Sequence, residues 1–189
     1  MKDIVLFWIQ GSGKGTQAKL LLQEYPEFQY LEPGQIFRAL NSNENLISNY
    51  VKEIVARGEM VSDKLLFDLF TLCTHIVREK AMIMDGFPRT MPQMEFFLKS
   101  EIEQGRDFVA INFNLSREKA IERIKQRAIE QNRADDVDES IRKRLEAFEN
   151  ETMPVINHLR EIDKMIEIDA DQPIETVFAE LVNVIEENQ

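Results

Sequence analysis

The sequence predicts an α/β protein of the P-loop three-layer sandwich class, a five-stranded parallel sheet with helices on both faces. Three observations predict it. Short apolar runs alternate with helical patterns along the chain, a glycine-rich loop follows the first run, and an Asp-Gly-Phe-Pro-Arg turn follows the third. Alternation of this kind yields a parallel sheet, because each crossover helix must pack back onto a sheet face. Ligands of such sheets sit at the carboxyl ends of the strands.

The first strand is expected over residues 4–9, an unbroken apolar run that reads as buried on both sides. Gly11-Ser12-Gly13-Lys14-Gly15-Thr16 follows, then the helix-like Gln17-Ala18-Lys19-Leu20-Leu21-Leu22. Strand, glycine loop and helix is the context in which such a loop binds phosphate. Glycines let backbone N–H groups converge on an anion, the helix start adds unpaired donors and a favourable dipole, and Lys14 adds a point charge. A tight strand-to-helix turn is the alternative reading of the glycines alone.

A short strand is expected over 28–31, followed by helical spacing of Ile47, Tyr50, Val51, Ile54 and Val55. A second helix carries Leu65, Leu66, Leu69, Leu72, Cys73 and Ile76 on one face. Residues 81–84 form the third strand, 92–104 a helix, and 109–113 the fourth strand. Helices are expected over 116–130, over 137–162 with a break or kink near Pro154, and over 173–187, where Pro173 suits a first helical position. The fifth strand is expected over 165–168.

A chain of 189 residues is long enough for one full core and short for two. Its 43% hydrophobic and 30% charged content is ordinary for a globular protein, and no apolar run approaches the length of a membrane span. The N-terminal apolar stretch is read as a buried strand and not as a signal peptide, so a cytoplasmic location without membrane contact is expected. Cys73 is read as a small core residue, and His75 and His158, which lack metal-ligand spacing, as surface or capping residues.

The net charge of −11 argues against nucleic-acid binding, which leaves a basic footprint. Residues 117–144 nevertheless hold nine Lys and Arg against seven Asp and Glu, so that stretch is +2 and the remainder −13. Local arginine beside a phosphate loop points to a small polyanionic ligand.

Asp85 ends an apolar run, where a buried carboxylate needs a partner. Magnesium is one, since it accepts a single carboxylate along with waters and substrate phosphates; a helix cap for the following segment is the other reading. Arg89 follows the Gly86-Phe87-Pro88 turn with a planar fork suited to phosphate, and Gln93 can offer both an acceptor and donors to a base edge. Arg123 and Arg127, four apart, share a helix face; Arg133 falls in a polar loop and Arg144 in the next helix.

These pieces, with Arg57-Gly58-Glu59-Met60-Val61-Ser62-Asp63 and Asn132-Arg133-Ala134-Asp135-Asp136, resemble the adenylate kinases of the nucleoside monophosphate kinase family in their short-lid form, over nearly the whole length. The resemblance implies reversible phosphoryl transfer from MgATP to AMP by a monomer. Gly11, Ser12, Gly13, Lys14, Gly15 and Thr16 would hold the ATP phosphates, with Arg123 beside the base and Arg127 on the phosphates. Gly34, Arg38, Glu59, Met60, Val61, Gly86, Arg89 and Gln93 would surround AMP, with Arg133 and Arg144 closing over the transferring group. Asp85 would reach Mg2+ through water. The catalytic set would be Lys14, Arg89, Arg127, Arg133 and Arg144. A mobile monophosphate-binding segment (about 33–62) and a short lid (about 128–138) would flank one kinase domain.

Four positions depart from the family pattern. Pro33 stands where threonine is usual, Gln35 where an acid is usual, and Gln10 where proline is usual. Trp8, the sole tryptophan, stands where the phosphate loop has its first glycine. An indole there is expected to project over the anion's position or to push the loop backbone away, so replacing it with glycine should raise ATP turnover; the alternative is an indole turned into a pocket behind the sheet, with the phosphate cradle intact. Gly15, where most such loops carry Ser or Thr, is tolerated by the family. Two other functions stay open: a UMP/CMP kinase, and a nucleotide-binding protein catalytically impaired by Trp8. The lack of an Asn-Lys-x-Asp element argues against a GTPase.

Overall fold

The computed structural model describes the chain except residues 10–12, 41–43, 57–60, 79, 132–137 and 189, and gives backbone alone at 14, 38, 55–56, 127–131, 138–140 and 144. Five strands form one sheet among the described residues: β1 Asp3–Trp8, β2 Gln29–Leu31, β3 Met82–Asp85, β4 Phe108–Asn114 and β5 Met165–Asp169. Their spatial order is β2-β3-β1-β4-β5 and every pairing is parallel. The expected five-stranded parallel sheet is therefore present, each strand within a residue or two of its predicted bounds.

Helices α1 Lys14–Glu24, α2 Pro33–Leu40, α3 Leu46–Ala56, α4 Asp63–Val77, α5 Met91–Gln104, α6 Arg117–Gln131, α7 Asp138–Ala147, α8 Met153–Glu161 and α9 Ile174–Asn188 fill the crossovers. Strand residues alternate between the two faces, so each face has its own core. Ile4, Leu6, Trp8, Ile83, Val109, Ile111 and Phe113 face α1 and α9, where Leu21, Val177, Leu181 and Ile185 meet them. Val5, Phe7, Met82, Met84, Phe108 and Ala110 face α4, α5 and α8 through Phe70, Phe97, Val155 and Leu159. Ile9 leaves the sheet into a smaller cluster with Ala120, Ile124, Ile141 and Leu145 of α6 and α7.

The amino edge of the sheet is tied by charge. Asp3 is buried; it accepts the Met82 N–H at 2.7 Å and two bonds from Arg106, at 2.5 and 2.8 Å. Arg106 also donates to the carbonyls of Arg78 and Lys80, so its burial is matched by hydrogen bonds from four of its five N–H groups.

Several local expectations need correction. The 33–40 segment is helical, with Pro33 at the first position where its missing N–H is harmless. α4 is rotated relative to its predicted face: Leu72 and Ile76 are exposed, while Phe70 is buried and Phe67, Cys73 and Val77 pack beside it. The reason is aromatic. Phe67 stacks on Phe96 at 4.1 Å and Phe70 meets Phe87, Phe96 and Phe97, ring pairs that the aliphatic stripe cannot form. The expected break near Pro154 is a π-helical turn at Phe148–Thr152, in which the Met153 N–H bonds back to Phe148 O. Pro173 precedes α9 and accepts its first bonds from Thr176 and Val177.

Candidate active site

Trp8 is the last residue of β1, 9% exposed, and packs on Phe113, its direct neighbour on β4, with ring centroids 5.5 Å apart. Strand parity sends its side chain to the α1 and α9 core. The expectation that the indole projects over an anion is thus overturned, and the alternative of an indole turned behind the sheet holds. Nor does the backbone need glycine there, since Arg78 and Asp163 are the non-glycine residues with positive φ among those described.

Gly13 does need to be glycine. Its φ of +94° lies in the left-handed region, and its carbonyl accepts the N–H groups of Thr16 and Gln17 to start α1. With no capping side chain at Gly13 and no acid in the first turn, the donors and dipole of this helix start are available to an anion. Gln17 anchors the turn from behind: its Nε2 donates to Ile174 O at 3.0 Å and ties α1 to the start of α9.

β3 lies beside β1, with Leu6 opposite Asp85. Asp85 is fully buried, and its Oδ2 accepts the Tyr30 hydroxyl at 2.6 Å; Glu32 Oε2 lies 3.2 Å from the same hydroxyl. Burial, then the charge of Asp85 and its hydrogen bond, then Glu32, push the Tyr30 phenol well above its ordinary range, so it remains a proton donor. Gly86 is constrained by its φ of +78°, in the left-handed region, and the Arg89 guanidinium lies close over it, with Nη2 2.5 Å from where a Cβ would stand. That close approach lets Arg89 Nε donate to Gly86 O at 2.8 Å and folds the exposed guanidinium back over the turn.

Thr90 caps α5, accepting the Gln93 N–H at 3.4 Å. Gln93 is buried, with Oε1 accepting from the Arg89 N–H at 2.8 Å and Nε2 donating to Asp63 Oδ1 at 2.7 Å. A carboxamide has a second N–H and a second lone pair, and those are what a base edge would meet.

Arg123 on α6 donates to Ala170 O at 3.1 Å, with Asp171 Oδ1 3.8 Å from its Nη2; Lys119 also pairs with Asp171. A cleft of about 480 Å3 opens between Gly13, Thr16, Gln17, Arg123 and the 170–177 turn, so the glycine loop and Arg123 share one wall-to-wall space. Gly34 lies in the first turn of α2, after β2, and Val61 just precedes α4.

Gly11, Ser12, Glu59, Met60 and Arg133 fall outside the described residues, and Lys14, Arg38, Arg127 and Arg144 are described as helix backbone alone. Sequence reasoning missed Tyr30, Glu32, Asp63, Gln17 and Asp171. The two-residue spacing of Tyr30 and Glu32 on a strand was the available signal for the first pair.

The donor set at the β3 exit is all oxygen, which suits a hard cation, and no group of three or more His, Cys, Asp or Glu forms a dedicated metal cage among the described residues. Such a set fits magnesium held largely by substrate phosphates and water.

Comparison with known proteins is consistent with this geometry. The family model described as adenylate kinase matches residues 7–164. An adenylate kinase of Parabacteroides distasonis is 30% identical over 98% of this chain and 98% of its own length. Adenylate kinases of a Cyanothece species (32% identical; 99% of this chain, 96% of the relative) and of Porphyromonas gingivalis (33%; 83% and 81%) are similarly alike.

Proposed function

The chain belongs to the adenylate kinase family, a family of phosphotransferases, and we propose that it catalyses reversible phosphoryl transfer from MgATP to AMP, giving two ADP. The observation that carries the reading is the convergence of Gly13 and Thr16, Asp85 and Arg89 at the carboxyl ends of the adjacent strands β1 and β3. The α1 start takes the ATP phosphates, the cleft beside Arg123 takes the donor base, and Arg89 grips the monophosphate. Arg127, Arg133 and Arg144 contribute from the segment 128–138 and its flanks, which closes as a short lid, while 33–62 closes over AMP.

Little covalent work falls to the protein in such a reaction. Catalysis rests on in-line positioning, on positive charge around the transferring group, and on exclusion of water. A magnesium ion would supply charge neutralisation at the phosphates, with Asp85 facing it through water. No general base is required among the named residues. Arg89, locked by Gly86 O on one side and by Gln93 through its backbone, is aimed before substrate arrives. The remaining N–H and lone pair of Gln93 favour a base edge with one acceptor beside one amino donor, as adenine has. In this proposal the protein works in the cytoplasm as a monomer. Among the described residues no helix is long and apolar enough to cross a membrane.

A coupled assay with MgATP and each of AMP, CMP, UMP and GMP tests the proposal. AMP is expected to be turned over fastest. Faster CMP or UMP turnover would make this a UMP/CMP kinase, and ATP binding by calorimetry without turnover of any monophosphate would make it a nucleotide-binding protein without this activity.

A further inference from the structure

We propose that Tyr30 is a positioning residue for Asp85, orienting the carboxylate that faces the metal of the nucleotide complex. The inference rests on the reading of Asp85 as that carboxylate. Tyr30 pairs with Ile83 in the parallel register of β2 and β3, and residues two apart on a strand share a face, so the phenol reaches diagonally across to Asp85. At 2.6 Å the bond has the length of a hydroxyl donating to an ionised carboxylate.

A hydroxyl has one proton to give. With Glu32 Oε2 at 3.2 Å, the shorter bond assigns that proton to Asp85, while Glu32 stands at the longer distance. Asp85 is fully enclosed, so bulk water cannot turn its carboxylate; the phenol commits Oδ2 and with it the plane of the group. Tyr30 is half-buried, its ring packed against the core on the α1 and α9 side, so the hydroxyl rides on a rigid support. The pairing spans 55 positions of sequence and joins two strands, neither of which carries the glycine loop. Partners that orient metal-facing ligands matter in this way: their loss commonly costs about 10–100-fold in metal affinity.

Tyr30→Phe keeps the ring and removes only the hydroxyl. The test is titration of Mn2+, standing in for Mg2+, into wild-type, Tyr30→Phe and Asp85→Asn protein saturated with ATP, with free Mn2+ read by electron paramagnetic resonance. ATP affinity in EDTA and the melting temperature are measured alongside. For Tyr30→Phe we expect Mn2+ to be held about 10-fold more weakly in the ternary complex, with metal-free ATP affinity within about twofold of wild type, a pattern that general loosening of the fold does not give. Weakening in Asp85→Asn with wild-type Mn2+ affinity in Tyr30→Phe overturns the role of Tyr30 alone. Wild-type affinity in both overturns the assignment of Asp85 as well. Parallel loss of metal-free ATP affinity and melting temperature in Tyr30→Phe would show a structural role and overturn the proposal.

Discussion

Replacing Trp8 with glycine should destabilise the protein and leave it no better as an enzyme. The indole is 9% exposed and tilted against Phe113 within the core on the α1 and α9 side. A buried aromatic of this kind hides about 150–250 Å2, which at about 25 cal/mol per Å2 is about 4–6 kcal/mol. Allowing for a denatured chain that already hides part of this area brings the figure to about 3–5 kcal/mol, the range seen when large aromatics are truncated in cores. Glycine inside a strand adds roughly 0.5–1 kcal/mol. The total, about 4–6 kcal/mol, is a large part of the roughly 5–15 kcal/mol that holds a domain folded. It corresponds to a fall in melting temperature of about 10–20 °C for a chain of this size. Because Trp8 is the sole tryptophan, unfolding is followed by far-ultraviolet circular dichroism in urea and on heating, with Trp8→Phe as a milder companion. A loss below about 1 kcal/mol, together with a tenfold rise in kcat/KM for ATP, would refute the reasoning and return the indole to the phosphate loop.

Arg89→Ala is expected to lower kcat/KM for the monophosphate by on the order of 100-fold with the fold retained, since an exposed fork that meets developing charge is lost; native melting with unchanged monophosphate kinetics would remove Arg89 from the site. Gln93→Asn should erode the preference for AMP over CMP and also cost about 1–2 kcal/mol of stability, because the shortened amide cannot span from the Arg89 N–H to Asp63; an unchanged AMP to CMP ratio would show that Gln93 is not the base reader. Glu101, buried beside Asp3, has its carboxyl pushed up to about 8 by burial first and by the Asp3 charge next, against the lowering pull of Arg106. The folded state therefore binds a proton that the unfolded state releases at ordinary carboxyl pH, so the contribution of Glu101 to stability is fully present below about pH 4.5 and is lost as pH rises towards about 8. Glu101→Gln should flatten that decline, and urea unfolding at pH 5.5 and 8.5 with an unaltered pH dependence would refute it.

Much of the site was legible without coordinates because its parts are local. Gly13 beside Lys14, the apolar run ending at Asp85, and Gly86 ahead of Arg89 are each read within a few residues, where turn chemistry and apolar periodicity act. The five strands and their parallel arrangement followed from the same short-range signals, and the structure agrees with them to within a residue or two. Cross-chain relations were not legible. The face onto which Trp8 turns depends on how far β1 continues before the loop begins, and a motif template that demands glycine at that position carries no parity. Which stripe of α4 is buried was settled by Phe67 and Phe70 meeting α5, a contact that apolar spacing within α4 does not encode. Tyr30 with Asp85, Asp63 with Gln93 and Arg123 with Ala170 are pairs 55, 30 and 47 positions apart. Strand order and register bring them together. The amino-acid sequence by itself determined the strands, most of the helices and the glycine-rich turn after β1 with its residue types, since those follow from conformational preference and burial along a few turns of chain. The tertiary structure alone decided which carboxylate Tyr30 orients, how Gln93 is gripped and where the indole lies, because hydrogen-bond partners are chosen by distance in space and the order β2-β3-β1-β4-β5 is a property of the packed sheet.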